Sequence, residues 1–191
     1  DARVNLIFEG TNEILRCFIA LSGMAGPGQA LIDVTRAMRE PIKGFGLLSD
    51  FAIRKARTAL GRERLTRVHP LLAPAALVFE QYTTELARCA EKVLRKHGKD
   101  IAEMQYTQRR VADMAMDLFA IACVLSRTTS VLERRGEEGA RRETDLTTMF
   151  VKAAESRLAI TVASFDDNDD ELRKAIADRA YSDGGYPFDV V

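Results

Sequence analysis

"QRRVADMAMDLFAIACVLSR", residues 108–127, places Val111, Met114, Leu118, Ile121 and Leu125 at alternating steps of three and four. That is the period of one face of an α-helix and does not fit the two-residue alternation of a half-buried strand. On either side the same period continues from about Lys99 to about Arg135, a rod of more than about 50 Å at about 1.5 Å per residue. Upstream, His69-Pro70 opens a second long helix that reaches about His97. Pro70 stands in its first turn, where a missing N–H is harmless, and Gly98 stands at its end. Downstream, a third spans about Glu137 to Phe165. Three long helices joined by one or two residues have to fold back antiparallel. The expected class is therefore all-α, an antiparallel helical bundle. Its core faces should include Leu86, Val93, Val111, Met114, Leu118, Ile121, Leu125, Phe150, Ala154 and Leu158.

Four shorter helices complete the pattern. One runs from about Thr11 to Gly23, with Thr11 or Asn12 as N-cap, Ile14, Leu15, Phe18 and Leu21 on one face, and Gly23 as stop. Another spans Gly28 to Arg39 and ends before Pro41, and a third covers Phe45 to Leu60 and closes at Gly61. The last, Asp170 to Tyr181, follows the acidic "DDNDD" and precedes the tail "DGGYPFDVV". The chain divides accordingly into residues 1–26, a linker of 27–68 with a basic amphipathic helix, and a C-terminal bundle of 69–191.

Composition bounds the function. With 191 residues, 47% hydrophobic and 29% charged, there is material for one good core and a smaller appendage. Basic and acidic residues number 28 each, so no global field gathers nucleic acid or an anionic membrane, and no nucleic-acid partner is expected. Cys17, Cys89 and Cys123 lie far apart without CxxC spacing and read as buried free thiols of a reducing compartment. No run of about 18 apolar residues marks a membrane-spanning helix, and no signal peptide is evident. Asp1 stands where a methionine would, and a motif is under way by Leu6, which suggests a cut start.

That motif is "IFEGTNEILR", residues 7–16. On physical grounds Glu9 has two readings. It can be a loop carboxylate near a helix N-terminus, favoured by the macrodipole. It can also be a general base, partly desolvated by Ile7, Phe8 and Ile14 so that its pKa rises into a useful range, with Gly10 allowing close approach of a ligand.

The stretch "DARVNLIFEGTNEILR" closely resembles the C-terminal catalytic segment of the flavin-dependent acyl-CoA dehydrogenases. "VHPLLA" (68–73), "HGKDIAEMQ" (97–105) and the 108–127 stretch resemble the extra C-terminal helical domain of the very-long-chain branch. The resemblance implies that Glu9 is the catalytic base for the α-proton of an acyl-CoA thioester while a hydride leaves the β-carbon for FAD. It also implies that the glutamate's backbone N–H holds the thioester oxygen together with a flavin hydroxyl. It makes Gly10 a substrate contact and Thr11, Asn12 and Glu13 contacts of the flavin dinucleotide, with Glu13 replacing a frequent Asp or Gln. Residues 1–26 would then be the catalytic segment and last helix of the catalytic domain.

Long-chain acyl-CoA as substrate, an electron-transfer flavoprotein as electron acceptor and a homodimer are implied as partners. The branch also works at membranes through the stretch corresponding to residues 39–67, where eight basic residues face three acids. Residue patterning alone allows either an ordinary surface helix or a peripheral membrane contact there. A paralogue of this branch serves in respiratory-complex assembly, so an interaction or assembly protein is the alternative function. Abundant alanine and arginine incline the source to a bacterium, cytoplasmic or membrane-peripheral, with the mitochondrial matrix or inner membrane as alternative. No metal site is expected. His69 lacks companions at ligand spacing and reads as an N-cap or packed imidazole, and "DDNDDE" (166–171) lacks the glycine and glutamate of a calcium loop.

Overall fold

The computed structural model describes residues 3–8, 10–39 and 64–185. The helix expected at 45–60 therefore lies outside the described residues. Among those described there are five α-helices: α1 (Asn12–Arg39), α2 (Ala73–His97), α3 (Gln105–Gly139), α4 (Arg141–Ala163) and α5 (Asp170–Ser182). Short 3-10 turns occupy Val4–Leu6, Pro70–Leu72 and Gly98–Glu103, and the described residues contain no strand. The all-α bundle expected from the period at 108–127 is the architecture formed.

The centre is an antiparallel trio of α2, α3 and α4. Met114, Leu118, Ile121 and Leu125 of α3 are each no more than 5% exposed. They meet Val151, Ala154 and Leu158 of α4 and Tyr82 of α2, with Leu86 and Phe150 partly buried alongside. Register between α3 and α4 is marked by polar pairs. Thr128 and Thr147 share a buried hydroxyl hydrogen bond of 2.7 Å, and Arg157 reaches Asp117 at 2.6 Å nearer the other end.

Helix ends explain where the observed limits depart from those read off the sequence. His69 caps the first turn, its Nδ1 accepting from the Leu71 N–H at 3.3 Å, and the basic last turn of α2 suits the dipole before Gly98 turns the chain at φ +54°. From there the chain does not enter α3 directly as expected. Residues 98–103 form a 3-10 segment because the buried Gln108 side chain donates to the carbonyls of Ile101 and Ala102, at 2.7 and 2.8 Å. At the other end Gly136 takes φ +69°, ψ 177° and breaks α3. That break falls where the sequence reading ended the helix, at about Arg135; residues 137–139 add a short further turn, and α4 begins at Arg141.

α1 departs furthest from expectation. Gly23 does not stop it: the helix continues through Gly26, Pro27 and Gly28 to Arg39, and so runs across the 26/27 division. Buried side chains on both sides of this weak stretch, Met24 and Val34, hold it in place, and tertiary packing outweighs local propensity. The expected apolar face is also turned the other way. Ile14, Leu15, Phe18 and Leu21 are exposed, whereas Ala20 and Met24 pack with Ala90, Val93, Ile101, Val111 and Ala112. Ala20 and Ala112 are both fully buried, and such small side chains let two helices approach closely.

Two other expectations are corrected. By length and composition α1 (as Asn12–Arg36) and α3 are apolar enough to cross a membrane, although charged residues interrupt both. In α3 much of that apolarity is bundle core. Of the three cysteines only Cys89 is buried; Cys17 is half-buried and Cys123 exposed, all as free thiols. α5 buries no residue. It is tied at its start, where Arg110 grips both oxygens of Asp170 at 2.6 and 2.7 Å.

Candidate active site

The expected site residues are contiguous in the chain, and the structure shapes them into a turn at the head of α1. Glu9 itself lies outside the described residues. Gly10 takes φ +114°, a left-handed conformation that other L-residues rarely adopt, and a Cβ there would stand 3.4 Å from the Leu15 side chain. Thr11 caps the helix: its Oγ1 accepts from the Ile14 N–H at 3.4 Å, and its carbonyl accepts the first helical bond, from Leu15 N–H at 3.0 Å. Asn12 opens the helix half-buried, and Glu13 stands exposed in the first turn, where the positive end of the dipole favours a carboxylate. The structure thus brings Gly10, Thr11, Asn12 and Glu13 together on one turn.

The shielding imagined for Glu9 is not built by the described residues. Ile7, Phe8 and Ile14 are 75%, 68% and 63% exposed.

Arg16 is the residue that motif reasoning passed over. It stands one turn into α1 and its guanidinium works in two directions. Nε donates to Asp113 Oδ1 of α3 at 2.7 Å, and Nη1 donates to the Asn12 carbonyl at 3.3 Å. The other Asp113 oxygen faces Arg109 at 3.5 Å. Both letters were in view, in "EILR" and "VADM", but nothing in their spacing says that residues 97 positions apart meet.

Elsewhere, Glu80 is buried and its carboxylate accepts from the Leu65 N–H at 2.7 Å, pinning the strand of chain that enters the bundle. A groove of about 930 Å³ lies between the far part of α1 and the end of α2, walled by Met24, Leu31, Val34, Leu94 and Ile101. None of residues 10–13 lines it. Among the described residues no three His, Cys, Asp or Glu side chains gather as a metal site.

Residues 70–186 match the family model described as ACAD9/ACADV, C-terminal domain. The very long-chain specific acyl-CoA dehydrogenase, mitochondrial, of Rattus norvegicus is 35% identical over 172 residues, which covers 88% of this chain and 26% of that protein. Its Homo sapiens counterpart is 35% identical over 162 residues, 83% of this chain and 25% of that protein. A probable acyl-CoA dehydrogenase of Bacillus subtilis (strain 168) is 26% identical over 159 residues, 81% and 24%. Among solved structures, an acyl-CoA dehydrogenase complexed with FAD from Bacillus anthracis matches with a TM-score of 0.63 at 22% identity, over 92% of this chain and 28% of that one.

The chain belongs to the acyl-CoA dehydrogenase family of the very-long-chain type, by the C-terminal domain of its members. It spans about a quarter of the length of the curated relatives it matches.

Proposed function

We propose that this chain is the C-terminal part of an FAD-dependent acyl-CoA dehydrogenase that introduces the α,β double bond into long-chain acyl-CoA thioesters in fatty-acid β-oxidation. The observation that carries the reading is the turn at the head of α1. A left-handed Gly10 and a capping Thr11 follow Glu9 in the string that resembles the family's catalytic segment, and the helix they open packs on the family's C-terminal bundle.

In this reading Glu9 takes the α-proton, because an α-C–H beside a thioester is only weakly acidic and a carboxylate is the base within reach. Gly10, with no side chain, leaves the backbone open to the thioester. Bound FAD would supply the hydride acceptor for the β-carbon.

The head of α1 fits such a group in its donors. Early helical N–H groups point out of the helix start, and the Thr11 hydroxyl can still donate while its oxygen caps Ile14. Glu13 fits less simply. An ionised carboxylate only accepts hydrogen bonds, so its partners would be hydroxyl groups rather than phosphate.

The remaining parts of the proposal concern the whole protein. Residues 1–26 would end the catalytic domain, 27–68 link, and 69–191 form the extension. An electron-transfer flavoprotein would take the electrons, and the extension would serve homodimer and peripheral membrane contacts. Sedimentation mass and co-sedimentation with anionic vesicles test these contacts, and a monomer that ignores such vesicles would sink them. The relatives named mitochondrial support a matrix or inner-membrane home, while the Bacillus subtilis relative keeps a bacterial cytoplasm in view.

The decisive experiment uses the full-length protein. Glu9→Gln should retain flavin and bind acyl-CoA yet lose most substrate-dependent flavin reduction, since only the proton acceptor is gone. Near-normal reduction would overturn the assignment and favour an assembly role.

A further inference from the structure

We infer that Asp113 of α3 is a positioning residue for the Gly10–Asn12 turn and that it acts through Arg16; this rests on the reading of that turn as part of the active site. Between Gly10 and Phe18 no residue is buried; Ile19 packs partly buried against the core, and Ala20 is the first to be sealed in it. Among the described residues, the Arg16–Asp113 pair is the one hydrogen-bonded or ionic tie between this stretch and the bundle. Without it, the start of α1 is held by its own cap, and that cap is long at 3.4 Å.

The arrangement is directional. Asp113 is fixed from its own helix by Arg109, one turn before it, at 3.5 Å. Its free side then receives Arg16 Nε, and the fork geometry of the guanidinium leaves Nη1 aimed back at the Asn12 carbonyl. The bundle thereby holds the first helical turn at its backbone, not only at a side chain. With side-chain exposures of 26% and 32%, the pair is sheltered from the full screening that makes open surface pairs nearly worthless. A lysine at position 16 could reach one of the two acceptors but could not span both in a plane.

The consequence for chemistry is geometric. On the proposed reading this turn follows the base directly in the chain, and a displacement of about 1 Å in the groups that contact substrate or cofactor can cost on the order of a hundredfold in rate. The C-terminal bundle is then a clamp on the catalytic segment as well as an added domain.

The test uses Asp113→Asn, which keeps shape and removes charge, and Arg16→Lys, which keeps charge and removes the fork. In the 191-residue chain, amide exchange at Ile14, Leu15 and Arg16 should speed up by up to about tenfold in both variants, since Asp113→Asn leaves a neutral acceptor and Arg16→Lys leaves one of the two acceptors unreached. Exchange at Leu118 and Ile121 and the melting temperature should stay unchanged. In the full-length protein, saturated with added FAD, both variants should lower kcat for palmitoyl-CoA about tenfold, with smaller changes in flavin affinity and KM.

Unchanged exchange at 14–16 overturns the inference. A rise across the whole bundle with a lower melting temperature overturns it too, by making the pair merely structural. If exchange rises locally but kcat holds, positioning is refuted. Failure of the underlying reading is separate, since it shows as retained flavin reduction in Glu9→Gln.

Discussion

α1 and α3 are both long, apolar helices, yet they use their apolar residues in opposite ways. In α3 a stripe of Met114, Leu118, Ile121 and Leu125 is sealed in the core. In α1 the bulky apolar side chains Ile14, Phe18 and Ile32 look outward, and the apolar contact with the bundle is made by Ala20 and Met24 with Ile19 partly buried beside them. The difference lies in what surrounds the stripe. The first half of α3 has charged residues flanking its stripe, Arg109, Asp113 and Asp117 among them, so burial has one direction to choose. α1 is apolar or small around most of its circumference from Ile14 to Ala25, so size and fit, not polarity, choose its inner face.

The sharpest way to break this comparison is a pair of truncations. Leu118→Ala should cost about 2–5 kcal/mol because it leaves a cavity, whereas Phe18→Ala, 67% exposed, should stay within about 0.5 kcal/mol in this chain. Denaturant unfolding of the two variants reads the difference. Equal losses would mean that α1's outward face is covered after all.

Next in size comes the hydroxyl pair between α3 and α4. Thr147→Val leaves the buried Thr128 hydroxyl without its partner at 2.7 Å and should cost about 1–3 kcal/mol. Replacing both with valine should recover most of that loss, since no orphan remains. A double variant as unstable as the single would show that the hydroxyls matter for packing rather than for each other.

Thiol chemistry sharpens the comparison from the side of access. Burial raises the pKa of Cys89 above its ordinary value, with Arg88 pulling weakly the other way. Less thiolate and less access both slow alkylation. Cys123 on the open side of α3 should react first, Cys17 next and Cys89 last, followed by mass spectrometry of the native protein.

The smallest effect is electrostatic. The hydrogen bond and charge of Lys92 hold the Asp166 carboxyl below its ordinary value. A carboxylate with a depressed folded pKa stabilises the fold above its unfolded pKa, near about 3.9, and loses that contribution as pH falls through the folded value. Asp166→Asn should therefore lower stability slightly at neutral pH, leave the most acidic end untouched, and so flatten the acid limb of the stability curve. An unchanged acid limb would mean the pair contributes nothing in solution.

Much of the fold was legible in the residues. The three-four steps of 111–125, Pro70 before and Gly98 after α2, and Asp170 at the start of α5 all act locally, through backbone sterics and caps. The continuity of α1 across residues 23–28 was not legible, although its end at Arg39 was. Gly23 and Pro27 are genuine breakers by propensity, and only the burial of Met24 and Val34 on either side overrules them. The 3-10 entry to α3 was hidden for a similar reason, because Gln108 looks like any polar helical residue until it is buried against two carbonyls.

For the candidate site the division is the same. By itself the sequence determined the chemical inventory: a carboxylate at 9, a glycine at 10 and a capping threonine at 11, types whose use follows from their own atoms. Only the tertiary structure decided that Arg16 spends its guanidinium on Asp113 and on the Asn12 carbonyl. A pairing across 97 positions depends on how two helices cross. Crossing is set by which small residues let them approach, here Ala20 and Ala112, a property of packed surfaces that no local pattern expresses.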